Sequence, residues 1–327
     1  MAMVLIEDPR RTDTAFNLAL EEHCLMNLPI GEDYLLLYVN GPSIVIGKHQ
    51  NAVEEINTDF VERHGIPVIR RQSGGGTVYH DPGNLNFSFI RRYEPRYFNN
   101  YDHFTGRVAE ALRHMRVPAT LNGRGDILVE GRKVSGNAQA VRRDRMLSHG
   151  TLLFRSNLQD VSQALHRKPG KFVSKGRPSV RSQVVNVGNY LPSGTDMEAF
   201  RAALLGHLLP LADKQPHVPS RADLEAAEAL AREKYRSWDW NYGRSPDFEL
   251  TRSGVVQGQL LEVRVQVSKG IIEQFGVAGN TSGDVPVEMP AHGLTGLRYH
   301  PEDLRDRLLH LGGAVAAQAD EWVKLIY

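Results

Sequence analysis

The order of apolar and polar positions divides the chain into short helices and strands. Phe16, Leu20 and Cys24 fall at i, i+4 and i+8, one stripe of a helix that Thr12 and Asp13 can cap and that runs through Glu22. Residues 34–39 and 43–46 are apolar runs parted by Gly41–Pro42, and they read as strands. A short helix over 57–64 and a strand over 66–70 lead into a glycine-rich stretch, after which 85–90 alternates as a further strand. Helical spacing covers 101–115, strands follow at 127–130 and 151–154, and helices are expected near 158–166, 196–211 and 221–236.

The pattern changes around 238–246 (WDWNYGRSP), where aromatic residues and turn formers cluster. Beyond it Leu261, Val263, Val265 and Val267 alternate with Glu262, Arg264, Gln266 and Ser268, the period of a half-buried strand. Lys269–Gly270 then makes a turn into a strand over 271–277, and helices are expected from Pro301 and over 318–325. The fold class is therefore α/β (α+β), a large mixed domain over residues 1–246 followed by a small α+β unit over 247–327.

Composition narrows the function classes. The 327 residues suit two domains, and 41 % hydrophobic with 24 % charged residues is ordinary globular usage. Lys+Arg 39 against Asp+Glu 38 leaves +1, so no global basic field holds nucleic acid or an anionic membrane. Any anion site must be local. Cys24 is the single cysteine, which excludes an internal disulfide, a CxxC redox pair and a multi-cysteine metal site. The start, MAMVLIEDPRR, is too short in its apolar run for a signal peptide and too acidic for a transit peptide, so a cytoplasmic protein without a membrane span is expected.

Four segments carry candidate chemistry. In RRQSGGGTVYHDPGNLN (70–86), three consecutive glycines let backbone N–H groups turn onto an anion, with Arg70 and Arg71 as fixed positive charge. A glycine-rich hairpin with surface arginines serves the bare GGG equally well, and the stretch is neither a GxxxxGK[ST] nor a GxGxxG loop. In GRGDILVEGRKVSGNAQ (123–139), Lys133 follows a strand and precedes the small Ser135 and Gly136; a lysine so placed can bridge two anions, though a solvated lysine fits the spacing too. His149–Gly150–Thr151 enters a strand, and a lone histidine is more often structural than catalytic. Residues 171–187 (KFVSKGRPSVRSQVVNV) form a basic loop without apolar periodicity.

In order and spacing, these segments together with HGTLLF and WDWNYGRSPDF resemble the lipoate–protein ligase A family with its C-terminal accessory domain. The resemblance implies a biotin/lipoate ligase-like mixed sheet. It implies ATP-dependent activation of lipoate to lipoyl-AMP with Mg²⁺, then transfer of the lipoyl group to a lysine of an apo lipoyl domain. Such acceptors are 2-oxoacid dehydrogenase E2 subunits, the glycine cleavage H protein or a similar lipoate carrier. By match to the family motifs, Lys133 is the catalytic residue, cancelling charge between carboxylate and α-phosphate. Arg70, Arg71, Ser73, Gly74, Gly75, Gly76, Thr77, Val78, Tyr79 and His80 form the nucleotide- and acyl-binding loop. Asn84, Asp126, Ser135, Gly136, His149, Gly150 and Thr151 line the same cleft, and Lys175, Ser179 and Val180 belong to an adenylate-binding flap. Asp126 is the candidate metal contact. Val45, Ile46, Val78 and Tyr79 are candidate lining for the acyl chain, although ordinary core packing calls for the same residues.

One departure bears on the metal: Gly125 stands where the family commonly has Asn, so another group must take over or nucleotide affinity falls. Two rivals remain open. A lipoyl or octanoyl transferase using a preactivated donor would in several cases need a cysteine nucleophile, and Cys24 sits on an apolar helix stripe. A non-catalytic lipoate-binding paralogue would keep the pocket and lose turnover.

Overall fold

Polar caps and turn residues set the element boundaries in the structure, a computed structural model that describes residues 3–209, 215–279, 290 and 293–327. The chain opens with β1 (Met3–Ile6), α1 (Thr14–Asn27), β2 (Asp33–Val39), β3 (Ser43–Ile46), α2 (Thr58–Arg63), β4 (Val68–Arg70), β5 (Val78–His80) and β6 (Asn84–Arg92). It continues with α3 (Tyr101–His114), β7 (Ala119–Leu121), β8 (Ile127–Val129), β9 (Arg132–Lys133), β10 (Asn137–Arg142), β11 (Arg145–Leu153) and α4 (Leu158–Ala164). Then come β12 (Lys171–Ser174), α5 (Met197–Leu208), α6 (Arg221–Leu230), β13 (Phe248–Val256), β14 (Gln259–Ser268) and β15 (Ile271–Gly279). The helices α7 (Pro301–Leu311), α8 (Gly313–Ala317) and α9 (Ala319–Ile326) end the chain. The last residues of the helix expected over 196–211 lie outside the described residues.

Two compact units are interleaved in sequence. The first holds Met1–Lys48, Ile66–Gln163 and Ser179–Ser237; the second holds His49–Gly65, Ala164–Pro178 and Trp238–Tyr327. One cut near residue 246 does not reproduce this division, because α2 and β12 come early in the chain and belong with the C-terminal elements.

The first unit is built on a sheet ordered β1-β2-β6-β11-β10, antiparallel except for the β1–β2 pair. Its central strands are buried on both faces, which explains their unbroken apolar runs. Leu35, Leu37, Phe87 and Phe89 pack with Val108 and Leu112 of α3, while Leu36, Tyr38 and Ile90 pack with Phe16, Leu20 and Cys24 of α1. Asp13 caps α1 by accepting from Ala15 N and Phe16 N. Two small sheets, β4-β3-β5 and β7-β8-β9, carry the glycine stretch and Lys133. The hairpin β10–β11 is longer than the strand expected at 151–154, since Gln139, Ser148 and His149 interrupt its apolar pattern while still pairing in register.

The second unit contains the antiparallel sheet β12-β13-β14-β15. Leu261, Val263, Val265 and Val267 face a core with Trp322 and Ile326, as their alternation requires. Lys269 and Gly270 both take positive φ (51° and 76°), the geometry of a tight turn that matches strand twist. The basic stretch 171–187 is not loop throughout: Lys171–Ser174 pairs with β13, and Phe172 packs against Phe248 with ring centroids 5.9 Å apart. One apolar ring on an edge strand suffices there, too little for a periodicity to show. Among the described residues, no helix is long and apolar enough to cross a membrane.

Candidate active site

Arg71 organises the glycine loop from inside. It is buried, and its guanidinium donates to the carbonyls of Val45 (3.1 Å), Gly74 (2.5 Å) and Gly76 (2.8 Å), while Nε reaches Ser73 Oγ at 3.0 Å. Peptide C=O and N–H point opposite ways, so drawing in the carbonyls of Gly74 and Gly76 turns the N–H groups of Gly75 and Thr77 away from Arg71. The Thr77 N–H meets Ser179 Oγ at 2.9 Å, and Gly75 and Gly76 are exposed. Gly75 needs its φ of +87°, and a Cβ there would stand 2.9 Å from Arg71 Nη2. Neither arginine is a free arm for an anion: Arg70 donates to the carbonyls of Gly47 and Lys48 at 3.0 and 3.2 Å. What the loop leaves exposed is its backbone at Gly75 and Gly76, rather than its guanidiniums. Burial lowers the Arg71 guanidinium to about 10, with Glu21 the leading charge in opposition.

Lys133 lies on the two-residue strand β9, and its Nζ is 2.8 Å from Asp126 Oδ1, both side chains being partly exposed. Asn122 holds the other carboxylate oxygen through Nδ2 at 3.0 Å, and its Oδ1 accepts from Arg124 N and Asp126 N. An amide thus meets Asp126 from position 122. Position 125 has no room for one: Gly125 has φ +79°, and a Cβ would fall 2.2 Å from Tyr101 Cβ and 2.5 Å from its Cγ. Ser135 Oγ accepts from Ile127 N and Asn137 Nδ2, both at 2.9 Å, and Gly136 N donates to Thr151 Oγ1 at 3.0 Å. Gly150 is required by crowding, since a Cβ would stand 2.1 Å from Asn137 Oδ1 and 2.5 Å from Phe87 Cζ.

The loop and the segment that follows Lys133 are neighbours. A Cβ on Gly75 would touch Ala138 Cβ at 3.6 Å, and one on Gly136 would meet Val78 Cγ1 at 3.1 Å. The segment after Ser179 joins them as well, because Gln183 O accepts from Lys133 N at 2.8 Å. From Ser179 at the loop to Gln183 at Lys133 is at most about 14 Å of chain.

His149 is buried, with Nε2 2.6 Å from Ser73 Oγ and Nδ1 3.0 Å from each oxygen of Glu21. Sequence reasoning missed Glu21. The usable signal was Thr14, Asn17 and Glu21 at i, i+3 and i+7, a polar stripe of α1 that is buried rather than solvated: Thr14 Oγ1 meets Ser43 Oγ at 2.7 Å, and Asn17 Nδ2 meets Asn40 Oδ1 at 2.9 Å.

The model of the lipoyl protein ligase A/B catalytic domain matches residues 13–209, and that of the bacterial lipoate protein ligase C-terminus matches 245–317. The chain belongs to the lipoate–protein ligase family. It is 42 % identical to lipoate-protein ligase LplJ of Bacillus subtilis over 99 % of this chain and all of that one. A lipoate-protein ligase A bound with ATP superposes with TM-score 0.64 and 27 % identity, over 75 % of this chain and 100 % of that one. A putative lipoate protein ligase of Thermoplasma acidophilum with bound lipoic acid gives 0.62 and 26 %, over 74 % and 100 %. A bipartite ligase from the same archaeon, solved in a study with its E2 lipoyl domain, gives 0.62 and 25 %, over 74 % and 96 %.

Within this ligase-family chain the remaining candidates divide. Val45, Ile46 and Tyr79 are buried and Val78 half-buried. His80 is buried with Nδ1 2.8 Å from Asn40 Nδ2, and Asn84 is fully buried with Nδ2 3.2 Å from Asn86 Oδ1. Ser179 caps the loop and Val180 is exposed, whereas Lys175 is an exposed residue of the second compact unit. Cys24 is buried among Leu20, Leu25 and Leu28, and burial raises its thiol to about 12. A thiol so protonated is no nucleophile.

Proposed function

We propose that this protein activates lipoate with ATP to lipoyl-AMP and transfers the lipoyl group to a lysine of an apo lipoyl domain, such as an E2 subunit or a glycine cleavage H protein. The observation that carries the reading is the adjacency of the outward-facing glycine loop to a lysine held by a partly exposed ion pair. Adenylation brings a carboxylate against a triphosphate, and the like charges must be cancelled where they meet. Loop N–H groups bind the anion in a fixed geometry, and the Lys133 ammonium moves from Asp126 to the substrate oxygens, where it stabilises charge as the carboxylate attacks the α-phosphate and pyrophosphate leaves. In the second step, the acceptor lysine attacks the acyl carbonyl and AMP leaves.

Among the described residues, no group of three or more His, Cys, Asp or Glu gathers to hold a metal. The donor set suits Mg²⁺ held chiefly by nucleotide phosphates, with Asp126 as its single protein carboxylate. When bound, the ion offsets phosphate charge. In this reading residues 1–246 carry the chemistry, 247–327 act as the accessory lid, and the cytoplasm is the compartment.

The test is incubation with lipoate, Mg²⁺-ATP and an apo lipoyl domain, read by mass. Lipoyl-AMP and a lipoylated acceptor support the reading. An acceptor modified only when lipoyl-AMP or an acylated carrier is supplied points to a transferase, and binding without product to a non-catalytic paralogue.

A further inference from the structure

Glu21 of α1 is fully buried, and three donors meet it. His149 Nδ1 stands 3.0 Å from both carboxylate oxygens, the Ser88 hydroxyl donates to Oε1, and the Tyr38 hydroxyl lies at 3.4 Å. A carboxylate only accepts, so Nδ1 carries a proton, and in the tautomer with that single proton Nε2 is left as an acceptor. Ser73 Oγ sits 2.6 Å from that Nε2 and also receives Arg71 Nε at 3.0 Å. The hydroxyl proton therefore goes to His149, and an oxygen lone pair faces Arg71. Arg71 then gathers the carbonyls of Val45, Gly74 and Gly76. Every link has one direction, and the carboxylate sets it.

We propose that Glu21 is a positioning residue for adenylation: through His149 and Ser73 it holds the Arg71 guanidinium in the pose that turns the Gly75 N–H toward the substrate and seats the Thr77 N–H on Ser179. The inference rests on the ligase reading above. A guanidinium enclosed by protein also needs an anion, and Glu21 supplies the leading negative charge acting on Arg71. Packing alone would not ask for a carboxylate, since a buried side chain of that volume is better served by an apolar one. The directed chain explains the acid, the imidazole and the hydroxyl together.

The experiment compares lipoyl-AMP formation by the wild type, Glu21→Gln, Ser73→Ala and the double variant, with circular dichroism to verify folding. Each single change is expected to lower kcat/KM about tenfold or more, the scale on which supporting hydrogen-bond partners of a site act. If Glu21 acts through Ser73, the double variant is no worse than the poorer single one. Losses that multiply, or a Glu21→Gln rate equal to wild type, overturn the proposal. Should Glu21→Gln fail to fold, nitrogen NMR of the wild-type imidazole decides. A protonated Nδ1 with a bare Nε2 supports the chain, and a ring protonated on Nε2, singly or together with Nδ1, overturns it. A folded wild type that makes no lipoyl-AMP removes the ligase reading, and this inference falls with it.

Discussion

The glycine loop and the Lys133 strand bring positive charge to neighbouring places and hold it in opposite ways. Arg71 is enclosed, its N–H groups committed to carbonyls and to the Ser73 hydroxyl. The Lys133 side chain is a quarter exposed, and its Nζ is met by Asp126. Removing the first leaves the buried Val45 carbonyl unpaired, a loss of about 1–3 kcal/mol, and releases the part-buried carbonyls of Gly74 and Gly76. Moving the second breaks a partly exposed ion pair, worth at most about 1 kcal/mol after solvent screening. One side of the site is a template set by folding, and the other is a charge that can be transferred to a substrate cheaply. A site that must orient two anions and then relieve their repulsion needs both.

The largest expected effect separates the two. Lys133→Ala should cut adenylation by about 10²–10³, the usual loss for one preorganised charge, while leaving the urea midpoint near wild type. Arg71→Lys should lower activity and midpoint together, because a point charge cannot reproduce the planar fork that gathers the loop carbonyls. Rates and denaturation curves on the same preparations check this. A Lys133→Ala protein as active as wild type, or an Arg71→Lys protein of unchanged stability, removes the contrast.

A second prediction concerns the turn that presents Asp126. Asn tolerates positive φ, so the backbone at Gly125 is not the obstacle to an asparagine there. The obstacle is the Tyr101 side chain, whose Cβ and Cγ occupy the space within 2.2–2.5 Å of a new Cβ. Gly125→Asn is expected to destabilise by about 1–3 kcal/mol through overpacking. Adding Tyr101→Gly, which removes both of those atoms, should recover part of that, a favourable coupling that a double-mutant cycle reads directly. Additive losses would mean that Tyr101 and position 125 do not exclude each other.

How far the sequence shows all this depends on the range over which each interaction acts. Caps, alternation and turns are local, so α1, β14 and the Lys269–Gly270 turn were legible with their neighbours along the chain. The motif order brought out Arg71, Lys133, Asp126 and His149, and the structure gathers them in one compact unit. What Arg71 does was hidden: its partners Val45, Gly74 and Gly76 are carbonyls, which no residue type announces. Glu21 was hidden for another reason, since a polar stripe on a helix reads as solvated until the sheet that buries it is known. The interleaving of the two units was likewise invisible, because β12 has one apolar ring to mark it.

The smallest effect tests the fixed side by acid. His80 is buried, its Nδ1 accepts from Asn40 Nδ2 at 2.8 Å, and its Nε2 has no hydrogen-bond partner among the described residues. Burial first, then the positive charge of Arg71, push its pKa down to about 3. The unfolded chain holds this imidazole at about 6.5, so between pH 6.5 and pH 3 the unfolded state binds more protons than the folded one. Stability from this group is thus intact above pH 6.5 and declines as pH falls, by about 2 kcal/mol between pH 7 and pH 5. Urea titrations of wild type and His80→Gln at both pH values isolate the term, since other groups contribute equally to the two proteins. The drop should be smaller in His80→Gln by about that amount. An equal drop would mean that this imidazole is protonated in the folded protein, and that the template beside it tolerates a second buried cation.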